Sequence, residues 1–330
     1  MVYDGVERRS GQLAEVGIRA EDTYGTRQSA NTQFDVRCKS CFFEEVPQLI
    51  VTGGIRDSRA GTGYQEVGEW VEASMEGELI NAAIMVFGLG KVTTTGSSPY
   101  THTIKPIRQT VNETDLYAQS YTLEGRYNNP DGASDTVYTL LGALVRSFTE
   151  TIPLTGDRRA TWSADILGKS IGSTGSAITE STAATMYSGN TSVLLDDNAT
   201  SYSSGTQVEG VNSISYTVNH NYPTPDNFFS FGATDLDRTP YPGTLRGGIT
   251  GTFTRKYIDA DLWSVTEPFS LRIYHNRGAN DTIAIDLNNC RFSRARKGMF
   301  NVEEPIENVP VPFNVTELVI TAVDSTATYV

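Results

Sequence analysis

Apolar and polar positions alternate through much of this chain, and a period of two predicts strands. Ala14 to Ala20 is the first such stretch. Phe42 to Val51 reads as another, with Pro47 inside it, which suits an edge or a bend. Glu66 to Met75 alternates cleanly, and a shorter strand is expected near Thr191 to Leu195. Helical spacing is rare. Leu79, Ala82, Ala83, Val86 and Phe87 predict a short helix over 78–88, ended by glycine. Tyr257, Asp261, Leu262 and Val265 predict a second, stopped by Pro268. Val137 to Thr151 contains Leu-Leu-Gly-Ala-Leu-Val and taken alone could pass for a helix. Its later partner, Ile283 to Ser293, alternates and carries two adjacent asparagines, so both are expected as strand, turn, strand.

That partnership is part of an internal echo. Tyr121-Thr-Leu-Glu-Gly-Arg-Tyr, followed by Asp135-Thr-Val-Tyr-Thr-Leu140, returns as Phe269-Ser-Leu-Arg-Ile-Tyr-His, followed by Asp281-Thr-Ile-Ala-Ile-Asp-Leu287. The offset is 148 residues at Tyr121 and 146 at Asp135. Upstream, Arg59 precedes Val71 to Met75 much as Arg238 precedes Ile249 to Phe253, with an offset of 178 between the strands. The gap between 178 and 148 places about 30 extra residues in the first half, and the polar, Thr-rich stretch Lys91 to Gln119 is their natural site. The expected organisation is an arm and first strand over 1–45, a β-module over 46–170 with its insertion at 91–119, a Ser/Thr-rich connector over 171–207, and a second β-module over 208–330.

Composition agrees with a mainly β protein in which Thr, Ser, Tyr, Val and Gly dominate. The net charge is −13, and no Lys or Arg occurs from Ser170 to Asp237 or after Lys297. Such a chain does not bind nucleic acid by neutralising phosphates; where its acids cluster it repels nucleic acid. Adaptation to high salt and an ordinary soluble acidic surface are the other readings of the same charge. No apolar run is long enough to cross a bilayer.

Candidate chemistry is sparse. Cys38-Lys-Ser-Cys41 has the spacing of half a zinc site or a redox pair. Cys290, His102, His220 and His275 supply no second pair at metal spacing, so free or structural thiols are expected, with no metal and no cofactor. Nucleophile elbows, phosphate loops and dinucleotide fingerprints are missing, and Asp196-Asp197 and Glu303-Glu304 point their members to opposite faces of any strand. No catalytic residue is assigned.

Several segments together resemble the tail tube proteins of long-tailed viruses. They are Gly11-Gln-Leu-Ala-Glu-Val-Gly-Ile-Arg-Ala-Glu-Asp-Thr-Tyr-Gly-Thr26, the stretch Gly53 to Leu79 with Arg59 and Gly68, Ser98-Pro-Tyr-Thr-His102, Val211-Asn-Ser-Ile-Ser-Tyr-Thr-Val218, and Glu304-Pro-Ile-Glu-Asn-Val-Pro310. The resemblance implies tandem β-sandwich or half-barrel modules, each with a short flanking helix. It implies copies joined edge to edge in rings, and rings stacked into a tube through which genome DNA passes. It places the protein in the virion tail, assembled in the host cytoplasm, with itself and tail terminator, baseplate or tip proteins as partners, DNA as a passing occupant, and no membrane. Acidity and lysine scarcity suit a virus of a halophilic archaeon.

Under that resemblance Glu66, Glu69, Glu72, Arg246, Thr250 and Thr252 are candidate lumen positions. Arg56, Asp57, Arg59, Asp237, Arg238 and Tyr241 are candidate inter-ring loop positions. Two modules per chain favour a trimeric, pseudo-sixfold ring, with a hexamer as the alternative. Two other classes remain open: a monomeric surface adhesin or glycan-binding sandwich, and a carboxylate-dependent hydrolase.

Overall fold

The computed structural model describes residues 14–28, 33–34, 36–51, 64–107, 109, 118–127, 136–153, 158–175, 178, 184–208, 211–225, 236, 238–243, 245, 247–255, 265–293, 309–327 and 329. Eighteen strands and one α-helix lie among them. The first half holds β1 (Ala14–Ala20), β2 (Gln33–Phe34), β3 (Arg37–Val51), β4 (Tyr64–Glu78), α1 (Ala83–Leu89), β5 (Gly90–Thr95), β6 (Tyr100–Pro106), β7 (Tyr121–Tyr127), β8 (Thr136–Pro153), β9 (Thr161–Gly168) and β10 (Ser170–Gly172). The second holds β11 (Thr191–Asp196), β12 (Thr206–Gln207), β13 (Val211–Asn219), β14 (Ile249–Arg255), β15 (Phe269–Gly278), β16 (Asp281–Phe292), β17 (Val309–Asn314) and β18 (Glu317–Asp324). The alternating stretches have become strands, as mainly β composition requires. The second expected helix falls largely outside the described residues.

All pairings are antiparallel and build three sheets. Sheet B runs β3-β4-β9-β8-β13-β14-β17-β16. Sheet A runs β2-β1-β7-β8-β10. Sheet C runs β12-β11-β15-β16-β18-β6-β5. Two strands serve two sheets. β8 pairs in sheet A up to Ala143 and in sheet B from Leu144, and β16 passes from sheet C into sheet B at Arg291. Each crosses beside a residue of positive φ, Gly142 at 65° and Asn289 at 50°. The turn expected inside each stretch is therefore a bend within one continuous strand, and Gly and Asn stand there because they accept left-handed backbone at little cost.

The pairings of one half recur in the other. β1 with β2 and β7 corresponds to β11 with β12 and β15. The β3–β4, β7–β8, β8–β9, β4–β9 and β8–β10 pairings correspond to β13–β14, β15–β16, β16–β17, β14–β17 and β16–β18. Irregularities recur too. The β3–β4 register steps from Cys38↔Gly77 to Ser40↔Glu76, and the β13–β14 register from Val211↔Arg255 to Ser213↔Thr254. The β7–β8 register slips between Tyr121 and Leu123, and the β15–β16 register between Phe269 and Leu271. Among the described residues the β5–β6 hairpin, which overlaps the stretch expected as extra in the first half, has no counterpart; it extends sheet C against β18, and β8–β13 joins the halves in sheet B.

A sandwich core fills the space between sheet B and sheets A and C. Met75, Phe148, Trp162, Ile214, Phe253 and Phe313 enter from sheet B, and Ile18, Leu123, Leu140, Ile273, Ile285 and Ile320 from the other two. Helix α1 is apolar all round and every residue in it is buried. It starts later than its spacing suggests because Leu79 is held sideways, donating its N–H to the Ala160 carbonyl while its own carbonyl accepts from Met186. Gly90, with φ at 87°, ends it and donates back to Val86.

Candidate functional site

Sheet B buries one face and leaves the other open. Along β4, Val71, Ala73 and Met75 enter the core while Glu72, Ser74 and Glu76 face out. The same alternation in five further strands lays short polar residues side by side. Glu76, Ser163, Thr149, Thr217, Thr250 and Asn314 form one row across six strands. Ser74, Asp165, Ser147 and Asn219 form a second. Thr161, Thr151, Ser215, Thr252 and Pro312 form a third.

Neighbouring strands stand about 4.8 Å apart, so hydroxyls in a row meet and satisfy one another. Thr149 and Thr217 share a hydrogen bond of 2.8 Å between their Oγ1 atoms, and Ser147 Oγ donates to Asp165 Oδ2 at 2.7 Å. The Arg146 guanidinium donates to Glu72 Oε1 at 3.0 Å near one end of the face. A shallow depression of about 520 Å³ lies there, bordered by Phe42, Glu44, Glu72, Arg146, Asp165 and Asn221. No three His, Cys, Asp or Glu side chains gather at metal-binding distance among the described residues. The surface is wettable, weakly acidic and without a concentrated nucleophile.

The structure brings Glu72, Thr250 and Thr252 onto this face, on strands four places apart in one sheet. Glu69, opposite Pro47, has the parity of the core side instead. Glu66 pairs with Leu49 across a register shift. Arg238 and Tyr241 are exposed in the segment 238–243, which Gly243 ties to the end of β13 by donating to the His220 carbonyl. Arg56, Asp57, Arg59, Asp237 and Arg246 lie outside the described residues. Sequence reasoning passed over Glu44, Glu76, Arg146, Ser147, Thr149, Asp165 and Thr217. The alternation in Arg146-Ser-Phe-Thr-Glu-Thr-Ile-Pro153 is the signal that could have found the β8 members.

Beneath the face, buried polar groups tie the elements together. Glu150 on β8 and His275 on β15 are both fully buried, with His275 Nε2 3.1 Å from Glu150 Oε1 and His275 Nδ1 2.7 Å from Thr191 Oγ1. His220 Nε2 donates to the Gly88 carbonyl at 2.8 Å, and burial, only partly offset by that bond, lowers its pKa below the ordinary histidine value. Burial would raise the Glu78 carboxyl, but the Thr185 hydroxyl and the Arg37, Arg159 and Lys39 cations outweigh it and hold the group below its usual range. Cys38 and Cys41 are free thiols against the core. Burial pushes Cys38 up to about 12, backbone hydrogen bonding at Ser40 and Glu76 only partly opposing it, and drives Cys41 well up, so neither is a ready nucleophile.

Among the described residues the sandwich leaves one polar face of sheet B open, and β3 pairs with β4 alone. The sequence profile of the phage tail tube protein family matches residues 11–315, and the chain belongs to that family. Among curated proteins none matches the chain. The protein is thus a structural component of a viral tail, one that assembles with copies of itself and with other tail proteins.

Proposed function

We propose that the chain is two tandem β-modules, and that three chains close into a pseudo-sixfold ring whose stacked copies form the conduit for genome delivery. The recurrence of pairings and register shifts between β1–β10 and β11–β18 carries this reading. The stretch 171–207, expected as a connector, then contributes β11 and β12 to the second module. Sheet B supplies eight strands, so three copies would give twenty-four. At about 4.8 Å per strand the backbone circle would be about 37 Å across untilted, and about 48 Å at a tilt near 40°. Side chains project about 5 Å inward from each wall, half the spacing of stacked sheets, and the remaining bore admits a DNA duplex.

In this reading the open face of sheet B lines the bore. Its carboxylates repel phosphate while its hydroxyls keep it wet, so DNA passes without sticking. The loops around Arg56 to Arg59 and Asp237 to Tyr241 would meet the neighbouring ring, and terminator and baseplate or tip proteins would close the ends. Assembly would take place in the host cytoplasm. A halophilic archaeal host fits the charge. Electron microscopy of purified assemblies tests the stoichiometry: three chains per ring are expected, and six identical chains would return the hexamer. A chain that stays monomeric at every concentration and salt, and binds glycans on an array, would instead favour the adhesin reading.

A further inference from the structure

We propose that one proton, shared between Glu150 of the first half and His275 of the second, latches the two halves together where β8 joins them. The latch belongs to the single chain and holds whether or not rings form.

Two buried histidines of sheet C lie in a single row. Thr191 on β11, His275 on β15, Ile283 on β16, Ala322 on β18, His102 on β6 and Thr94 on β5 stand opposite one another in turn. Both histidines are fully buried. Each has a threonine hydroxyl at Nδ1, Thr191 at 2.7 Å from His275 and Thr94 at 2.8 Å from His102. Each has a carboxylate near Nε2, Glu150 at 3.1 Å from His275 and Asp324 at 3.4 Å from His102. Both also mark places where the first half meets sheet C: β8 reaches it through Glu150, and the β5–β6 hairpin through His102 itself.

The two sites nevertheless hold different numbers of protons. A threonine hydroxyl has one hydrogen to donate. Thr191 gives its hydrogen to the Tyr187 carbonyl at 2.9 Å, so its oxygen accepts from His275, and Nδ1 of that ring carries a hydrogen. Nε2 then faces Glu150 Oε1. With nothing between them, an imidazole lone pair would oppose a carboxylate in the dry core; with one proton they form a hydrogen bond. At the other site Asp324 already accepts from the Tyr329 hydroxyl and the Thr326 N–H. Thr94 has no second acceptor among the described residues, so it donates to Nδ1 of His102, whose single hydrogen sits on Nε2 and points at Asp324. His102 needs no extra proton.

The groups around the His275–Glu150 pair are neutral or already engaged. Tyr216 on β13 and Trp162 on β9 stand opposite Glu150 on its two sides. Burial, and then the Glu150 carboxylate beside it, push the Tyr216 phenol well up, so it stays neutral. Thr191 and Ile283 flank His275. Arg277, two residues further along β15, donates to Asp281 at 2.9 Å and to the Ala184 carbonyl. A carboxylate is costly to bury without a partner of opposite charge, and the shared proton removes the net charge from the pair.

Nitrogen-15 labelling of histidine in the full-length chain tests this by magnetic resonance, since the chain has only 3 histidines to assign. At pH 7.5 an ordinary imidazole is about nine-tenths neutral. His275 should instead show a hydrogen on Nδ1 and a second one held at Nε2, while His102 shows one, on Nε2. In Glu150→Gln, His275 should keep the Nδ1 hydrogen and lose the second, accepting from the amide. A wild-type His275 with a bare Nδ1 and one hydrogen on Nε2 would overturn the latch. Opening the join gives the proton up wherever an ordinary histidine is neutral, above about pH 6.5, so opening becomes easier as pH rises. Amide exchange of Ser147 to Ile152, after allowing for the base catalysis of exchange itself, should then report up to about tenfold more opening per pH unit between pH 7 and 8.5. Glu150→Gln should stay level over that range. The same rise in both chains, or none in the wild type, would also overturn the latch.

Discussion

The two halves of sheet B pair alike and present different surfaces. Glu72, Ser74 and Glu76 on β4 occupy the places of Thr250, Thr252 and Thr254 on β14; Asp165 on β9 takes the place of Pro312 on β17, and Glu44 on β3 that of Thr217 on β13. Four carboxylates in the first half thus answer to neutral residues in the second. The register and the buried face are held in common because each inward side chain must fit its cross-strand neighbours. The open face is constrained only to stay polar, so charge is free to differ there. In a ring of such chains, charged and hydroxyl sectors would alternate around the bore.

The largest effect is expected at β8, where the halves join. Glu150→Ala leaves His275 buried without its carboxylate, and the loss should be about 3–5 kcal/mol in denaturant unfolding. Glu150→Gln, which keeps an acceptor, should lose clearly less. Glu72→Ala, removing the exposed partner of Arg146, should lose under about 1 kcal/mol. Equal losses at Glu150 and Glu72 would show that the buried pair does not hold the join.

A smaller effect is expected where the cores differ. Ala73 sits opposite Ile166 in the first half; at the same place in the second, Gly251 sits opposite Phe313, whose ring occupies the space a Cβ would take. Each pair fills a similar volume by dividing it differently. Gly251→Ala should therefore cost about 1–3 kcal/mol, and Phe313→Ile added to it should recover most of that. If the two losses simply add, the pairs are not compensating.

His220 ties the end of β13 to helix α1 of the first half, and the counterpart position on β3 is Pro47. Its lowered pKa means the unfolded chain takes up a proton before the folded one does. Its contribution is complete above the ordinary histidine value, about 6.5, and is lost as pH falls below it, by at most about 1.4 kcal/mol per pH unit. Urea unfolding at pH 7.5 and 5.5 should show this slope in the wild type and a flatter one in His220→Gln. The same slope in both would remove His220 as its source.

The strands were legible because alternation is local. The Ala14–Ala20 alternation coincides with β1, and the alternation of Glu66 to Met75 falls within β4. What was hidden depends on neighbours far away in sequence. Gly142 and Asn289 looked like turns because nothing local reveals that the strand continues into another sheet. The Thr149–Thr217 pair needed the β8–β13 register, which no spacing encodes. Glu69 and Glu72 looked alike in sequence and fall on opposite faces, because three residues along a strand change sides.

The smallest effect on stability should be the most telling for the face itself. Glu72→Thr with Glu76→Thr copies the second half's surface onto the first. It should change unfolding by no more than about 0.5 kcal/mol, since both side chains are exposed. Glu72→Lys with Glu76→Lys should fold as well but invert the field, placing six added cations in each three-chain ring. If the face lines the bore, tubes of that variant should retain short duplex DNA at about 50 mM salt and release it near 200 mM, because phosphate contacts weaken steeply with salt. Tubes of the wild type should retain none at either. Lysine tubes that form normally and hold no DNA at low salt would place this face away from the bore, and the contrast between the halves would then concern a surface that DNA never meets.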